Sequence, residues 1–80
     1  MKNASYIYEV KQNGKWTTTH TCNDARQAYE DLSHELIAKK LCNCTYIRSI
    51  KRQQRYTHVE VIVTYTDDCG GGRRVYTIEN

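Results

Sequence analysis

The sequence predicts an α+β domain in which a five-stranded, mainly antiparallel sheet packs on a single helix, in the order ββαβββ. One segment, residues 23–41, repeats its apolar side chains at three- and four-residue steps, which is the period of an amphipathic helix. Five other segments carry the alternation and the β-branched and aromatic residues that are typical of strands. Because one helix covers only one face of a sheet, we expect the other face to lie in water.

The predicted helix runs from Asn23 to Leu41 and is expected to bury one apolar stripe. Thr21 and Asn23 are candidate N-caps, and the basic residues of the last turn suit the helix dipole. The stripe predicted to face the sheet consists of Ala25, Ala28, Tyr29, Leu32, Leu36 and Ile37, with Leu41 beyond.

A β-hairpin is predicted around the Asn-Gly pair at 13–14, which follows a strand over Ser5–Lys11. A two-residue turn would pair Val10 with Thr17, whereas a three-residue loop would pair Val10 with Trp16. The second register gathers the aromatic residues on one face. We therefore expect the three-residue loop, with Trp16 packed under the helix.

Three more strands are predicted after the helix, over Thr45–Lys51, His58–Thr66 and Arg73–Ile78. The pattern of the first of these places Tyr46 and Ile50 on one face and Ile47 on the other. The strand over His58–Thr66 has the most regular alternation, so we expect it to be central in the sheet.

The bulk composition indicates one domain spanning residues 1–80, with 39% apolar and 26% charged residues. A chain of this length buries only about 60% of its unfolded surface, which leaves little room for a catalytic pocket. We therefore expect no enzymatic activity and no cofactor. No apolar run is long enough to span a bilayer or to form an export signal near the start, so the predicted location is the cytoplasm, with no membrane partner.

The four cysteines are expected to be reduced thiols and not metal ligands. Cys22 and Cys42 flank the helix and would be about 30 Å apart, which excludes a site that uses all four. Cys42 and Cys44 are separated by one residue, which is a poor match to common zinc sites. A site formed by Cys42, Cys44, Cys69 and a histidine remains the alternative.

Positive charge is concentrated in the second half of the chain. Residues 1–37 have a net charge of −1 and residues 38–80 a net charge of +4. Arginine forks bind phosphate or carboxylate and tyrosine rings stack on bases, so this mixture favours an anionic partner. The candidate partner-binding residues are Arg48, Lys51, Arg52, Arg55, Tyr56, Arg73, Arg74 and Tyr76. Alternatively, the arginines solvate an exposed sheet face and protect its edges from aggregation.

A glycine-rich turn is predicted over Asp67–Gly72. It lacks the spacing of a phosphate-binding loop or a calcium-binding loop. We expect Asp67 and Asp68 to form a local charge pair with Arg73 and Arg74.

The run Ser5-Tyr6-Ile7-Tyr8-Glu9-Val10, the order of elements and the basic final hairpin resemble small phage-encoded anti-CRISPR proteins. They are similar in particular to a type I-F inhibitor built as a curved five-stranded sheet over one helix. The resemblance covers most of the chain as topology and pattern. It implies a protein that binds a guide-RNA effector complex, and some members of this group place basic and aromatic side chains where target DNA would lie.

The function expected from the sequence is therefore that of a non-enzymatic phage or mobile-element inhibitor in the host-cell cytoplasm. Its partner would be a host protein or ribonucleoprotein complex that handles nucleic acid, and binding would block access of nucleic acid. The alternative is a module that binds DNA or RNA directly.

Overall fold

The computed structural model describes residues 2–41 and 46–80, except for the side chains of Leu41 and Cys69. It contains five strands and one α-helix in the predicted order ββαβββ, which confirms the α+β fold. The elements are β1 (Ala4–Gln12), β2 (Lys15–Cys22), α1 (Ala25–Leu41), β3 (Ile47–Gln54), β4 (His58–Tyr65) and β5 (Arg73–Glu79), with a short 3-10 turn at Asp67–Cys69 between β4 and β5.

The sheet has the strand order β2-β1-β5-β4-β3, and every neighbouring pair is antiparallel. β4 has a strand on each side, as expected from its alternation, although β5 occupies the middle position. β2 and β3 are the two edge strands. The pairing of β1 with β5 joins the hairpin β1–β2 to the other half of the sheet.

The core lies between α1 and one face of the sheet. The predicted alternation of β4 is confirmed, because Val61, Val63 and Tyr65 are all buried on that face. The rings of Tyr6 and Tyr76 pack at its centre with their centroids 5.1 Å apart. The buried apolar residues are Ala4, Tyr6, Ala28, Leu32, Ile47, Val61, Val63, Tyr65 and Tyr76.

The predicted register of the first hairpin is wrong. Asn13 and Gly14 have φ values of 52° and 77°, and they form a two-residue turn that pairs Lys11 with Trp16. The register shifts by one residue farther along, so that Tyr8 pairs with His20 and Tyr6 with Cys22. The extra residue is Thr19 of β2, so the alternation of β1 is unbroken and Tyr6 and Tyr8 share the core face. Trp16 pairs with Lys11 and lies on the opposite face of the sheet.

The predicted faces of β3 are also wrong, because this strand contains a second register shift. The pairing of β3 with β4 shifts between Ile47 and Ser49, so the intervening Arg48 lies in the irregularity. As a result Ile47 and Ile50 both face α1, and Ile47 is only 2% exposed. The prediction that Ile47 points away from Ile50 assumed an unbroken alternation.

The helix differs from the predicted one at its cap and along its buried stripe. The backbone N–H of Gln27 donates a hydrogen bond to Asp24 Oδ1 at 3.2 Å, so the cap is Asp24 and not Thr21 or Asn23. Leu36 and Ile37 are 46% and 52% exposed. Ala28 and Leu32 are buried as predicted, but the next buried position is Glu35, three residues after Leu32.

Candidate functional site

The eight predicted partner-binding residues do not form one surface. They divide among three places: the core side of the sheet, the open face of the sheet, and the edge strand β3 with the turn that follows it.

Tyr76 and Arg74 lie on the core side of the sheet, where Arg74 is partly exposed. Tyr76 is fully buried. Its burial raises the pKa of the phenol to about 12. Arg74 Nη1 donates hydrogen bonds to Glu35 Oε1 at 3.1 Å and to Tyr76 Oη at 3.2 Å, and it lies 4.0 Å from Asp31 Oδ2. The positive charge of Arg74 is thus paired with carboxylates of the same chain.

Arg73 lies on the open face and is also held by neighbours in the sheet. Its Nε donates a hydrogen bond to Glu9 Oε1 at 2.9 Å, because the β1–β5 register places these residues opposite each other. Its guanidinium carbon lies 4.0 Å from the ring centroid of Trp16, a cation–π contact. The expected pairing of Asp67 and Asp68 with Arg73 and Arg74 is therefore wrong.

The remaining five residues, Arg48, Lys51, Arg52, Arg55 and Tyr56, form what we call the basic edge. β3 contains no acidic residue. Lys51 pairs with Ile62 and points to the open face, whereas Arg52 pairs with Val61 and points to the helix side. Within residues 2–41 and 46–80, no carboxylate lies within ion-pair distance of Arg48, Lys51 or Arg52.

The end of the basic edge is the turn between β3 and β4. Arg55 Nη2 lies 3.4 Å from Glu60 Oε1, and both side chains are partly exposed to solvent. Tyr56 is 98% exposed. An aromatic ring with so little contact to its own chain is available to a partner.

Glu35 is the residue that the sequence analysis missed. It is 6% exposed, and its Oε1 accepts hydrogen bonds from the Tyr65 hydroxyl and from Arg74 Nη1. The signal was its spacing, since Glu35 continues the steps set by Ala28 and Leu32 on the buried face. Its charge concealed it, because buried glutamates are rare unless they are paired.

In the described part of the chain, no group of three or more histidine, cysteine or carboxylate residues could hold a metal ion. Cys22 donates a weak hydrogen bond to the carbonyl oxygen of Asp24 at 3.8 Å. Cys42 and Cys44, together with the side chain of Cys69, lie outside the described residues, so the alternative zinc site is not tested.

No protein-family model, curated protein sequence or solved structure matches this chain. Among the described residues, no helix has both the length and the apolar character needed to cross a membrane.

Proposed function

We propose that this chain is a non-enzymatic binding protein that docks through the basic edge onto a protein complex that handles nucleic acid, and thereby blocks access of nucleic acid to that complex. The observation that carries the proposal is that Arg48, Lys51 and Arg52, which have no ion-pair partner among the described residues, lie on an edge strand that contains no acidic residue.

An edge strand supports docking on a protein in particular. Its outer backbone N–H and C=O groups have no ladder partner within the sheet, so they can pair with a strand of another chain. Lys51 and Arg52 place positive charge on both sides of this edge. A partner strand flanked by carboxylates would satisfy the backbone groups and the cations together.

The resemblance to anti-CRISPR proteins supports the nature of the partner. It implies an effector complex guided by RNA, and thus a phage or mobile-element inhibitor acting in the host-cell cytoplasm. We assign the contact surface to Arg48, Lys51, Arg52, Arg55 and Tyr56. Arg73 and Arg74 are left out because each has an ion-pair partner within the chain, and Tyr76 because it is buried.

Direct binding to DNA or RNA is the second candidate function. The reason to consider it is that the basic edge contains four cations, Arg48, Lys51, Arg52 and Arg55. Four phosphate contacts would give a slope of about −3 to −4 in a plot of log affinity against log salt concentration. Measurement of nucleic-acid binding by the isolated protein between about 50 and 200 mM salt separates the two candidates.

The test uses two charge-reversal variants with the same change in net charge. The first is Lys51→Glu with Arg52→Glu, on the basic edge, and the control is Lys11→Glu with Lys15→Glu, near the turn of the first hairpin. The readout is DNA binding by a purified type I CRISPR effector complex, with and without each protein. We expect the unmodified protein and the control to abolish DNA binding, and the basic-edge variant to leave it intact.

Two results would contradict the proposal. If the unmodified protein leaves the DNA affinity of the effector unchanged, the partner is wrong. If the protein alone binds duplex or single-stranded nucleic acid with the steep salt dependence given above, the chain is a direct nucleic-acid-binding module.

A further inference from the structure

A groove between α1 and the inner side of strands β3 and β4 is a second candidate site. Its volume is about 550 Å³. Tyr29, Leu32 and Leu36 form its helix wall. The apolar residues of its sheet wall are Ile50, Val59, Val61 and Ile78. A largely apolar cavity of this size is typical of sites that bind small molecules.

The groove opens from the core to solvent along the helix. Leu32 and Val61 are 7% and 6% exposed, so they belong to the core. Leu36, one turn farther along α1, is 46% exposed although it lines the same groove. The apolar surface is thus continuous from the core to the rim, and such a surface is a mark of a binding groove.

The charged side chains that line the groove are Lys2, Arg52 and Glu79. Glu79 follows Ile78, which packs against the core, so strand alternation directs the glutamate to the open face of the sheet. Its Oε2 accepts a hydrogen bond from Asn3 Nδ2 at 3.2 Å. In the described part of the chain, no carboxylate lies within ion-pair distance of Lys2 or Arg52. The groove therefore has two positive charges without a countercharge.

The two side-chain amides at one end of the groove bind within the chain. Gln54 Nε2 donates a hydrogen bond to Asn80 Oδ1 at 2.8 Å. Asn80 Nδ2 donates to the carbonyl oxygen of Tyr56 at 3.0 Å. The strongest polar contacts left for a ligand are consequently those with Lys2 and Arg52, because hydrogen bonds between charged groups are stronger than neutral ones. A ligand that suits the groove combines an apolar chain with an anionic head group.

We propose that this groove binds a free fatty acid in its carboxylate form. The acyl chain lies between Leu32 and Leu36 of α1 and Val61 of the sheet. The carboxylate accepts hydrogen bonds from the guanidinium group of Arg52, whose planar fork matches its two oxygens, and Lys2 adds a second positive charge. This inference goes beyond the function proposed for the basic edge. Arg52 belongs to both sites, but fatty-acid binding is measured on the isolated protein without an effector complex.

The first experiment is isothermal titration calorimetry with sodium decanoate below its micelle concentration. Sodium octanoate tests the acyl chain, and we expect it to bind about 15-fold more weakly, since each CH₂ group contributes about fourfold. Decyltrimethylammonium has a similar chain and a cationic head group, and we expect it to bind about tenfold more weakly than decanoate. Equal affinities for decanoate and decyltrimethylammonium, or no saturable binding of decanoate, would overturn the proposal.

Two neighbouring cations of β3 test the head-group contact. Arg52 points to the helix side and Lys51 to the open face, so Arg52→Gln and Lys51→Gln remove the same charge from opposite faces of one strand. We expect Arg52→Gln to weaken decanoate binding about threefold, the size of an exposed ion pair, and Lys51→Gln to leave it unchanged. Equal losses in the two variants would show that only net charge matters and that the groove does not hold the carboxylate.

Two neighbouring residues of α1 test the acyl-chain contact. Leu36 lines the groove, whereas Ile37 is 52% exposed and does not line it. Because both side chains are about half exposed, Leu36→Gln and Ile37→Gln should both fold. We expect Leu36→Gln to weaken decanoate binding about fivefold and Ile37→Gln to have no effect. The proposal is wrong if folded Leu36→Gln binds decanoate as tightly as Ile37→Gln.

Two further measurements examine other occupants of the groove. Analytical ultracentrifugation of the ligand-free protein should show a monomer. A dimer that Leu36→Gln dissociates would mean that a second copy of the chain covers the groove. Vesicles of phosphatidylcholine and phosphatidylglycerol that bind the unmodified protein but not Leu36→Gln, together with no binding of decanoate, would assign the groove to a membrane surface. Either result would overturn the proposal.

Discussion

Arg74 and Arg55 each lie next to a glutamate, yet burial makes the two ion pairs unequal. The Glu35 side chain that pairs with Arg74 is 8% exposed, whereas the Glu60 side chain that pairs with Arg55 is 22% exposed. Arg55 itself is 47% exposed and Arg74 29%. Water and salt therefore screen the pair at Arg55 far more than the pair at Arg74.

We expect Arg74→Ala to lower the free energy of unfolding by about 3 kcal/mol, because it leaves the carboxylates of Glu35 and Asp31 without a countercharge. Arg55→Ala is the control and should cost less than about 1 kcal/mol. Urea denaturation of the two variants and the unmodified protein measures both effects. Similar losses for the two variants would show that the carboxylates near Arg74 are well solvated.

At this scale the sequence predicts residue types better than their partners. It identified the cationic residues of the second half of the chain, and four of them, together with Tyr56, lie on the basic edge. It could not show that Glu9 lies opposite Arg73 or that Glu35 lies beneath Arg74, because these contacts join residues 64 and 39 positions apart.

The loop from β4 to β5 packs closely against β1. Gly72 at its end is buried, and a Cβ atom there would lie 2.6 Å from Tyr8 Cζ and 2.9 Å from the carbonyl oxygen of Glu9. Gly14 in the first hairpin has open space around it, but its φ of +77° favours glycine.

We therefore expect Gly72→Ala to destabilise the protein by about 3 kcal/mol, since the backbone of Glu9 cannot move away without disturbing β1. Gly14→Ala should cost about 1 kcal/mol, from backbone strain alone. Thermal denaturation of the two variants and the unmodified protein measures which substitution causes the larger loss of stability. A larger loss for Gly14→Ala would mean that Tyr8 moves aside easily.

The elements themselves were predictable because hydrophobic period and turn residues are local signals. The strand register was not predictable in either hairpin. The bulges near Tyr8 and at Arg48 each shift the pairing by one residue, and an alternating pattern gives no sign of an inserted residue. Ile47 was consequently assigned to the wrong face. Trp16 was assigned to the wrong face because the first hairpin has a two-residue turn and not the predicted three-residue loop.

For the molecule as a whole, the tyrosines of the core make the protein sensitive to alkali. Burial raises the pKa of Tyr6, Tyr65 and Tyr76, and it brings that of Tyr76 to about 12. In the unfolded chain these phenols ionise near pH 10. Above that pH the unfolded state has released protons that the folded state still binds, so stability falls as the pH rises.

We expect the free energy of unfolding to be constant with respect to these groups up to about pH 9, and to fall above pH 10 by up to about 1.4 kcal/mol per pH unit for each of the three tyrosines. Urea denaturation at a series of pH values measures the slope. Tyr76→Phe should reduce the slope above pH 10 by the contribution of one group. An unchanged slope in that variant would contradict the burial argument.

The middle strand of the sheet has a consequence for how the protein is made. Residues 73–79 bridge the amino-terminal hairpin and β4, and they leave the ribosome after the other four strands. Until then the nascent polypeptide has two hairpins that share no strand pairing, and the ring of Tyr76 is absent from the core between them. Cotranslational protection from proteases should therefore begin abruptly, once residues 73–79 have cleared the exit tunnel.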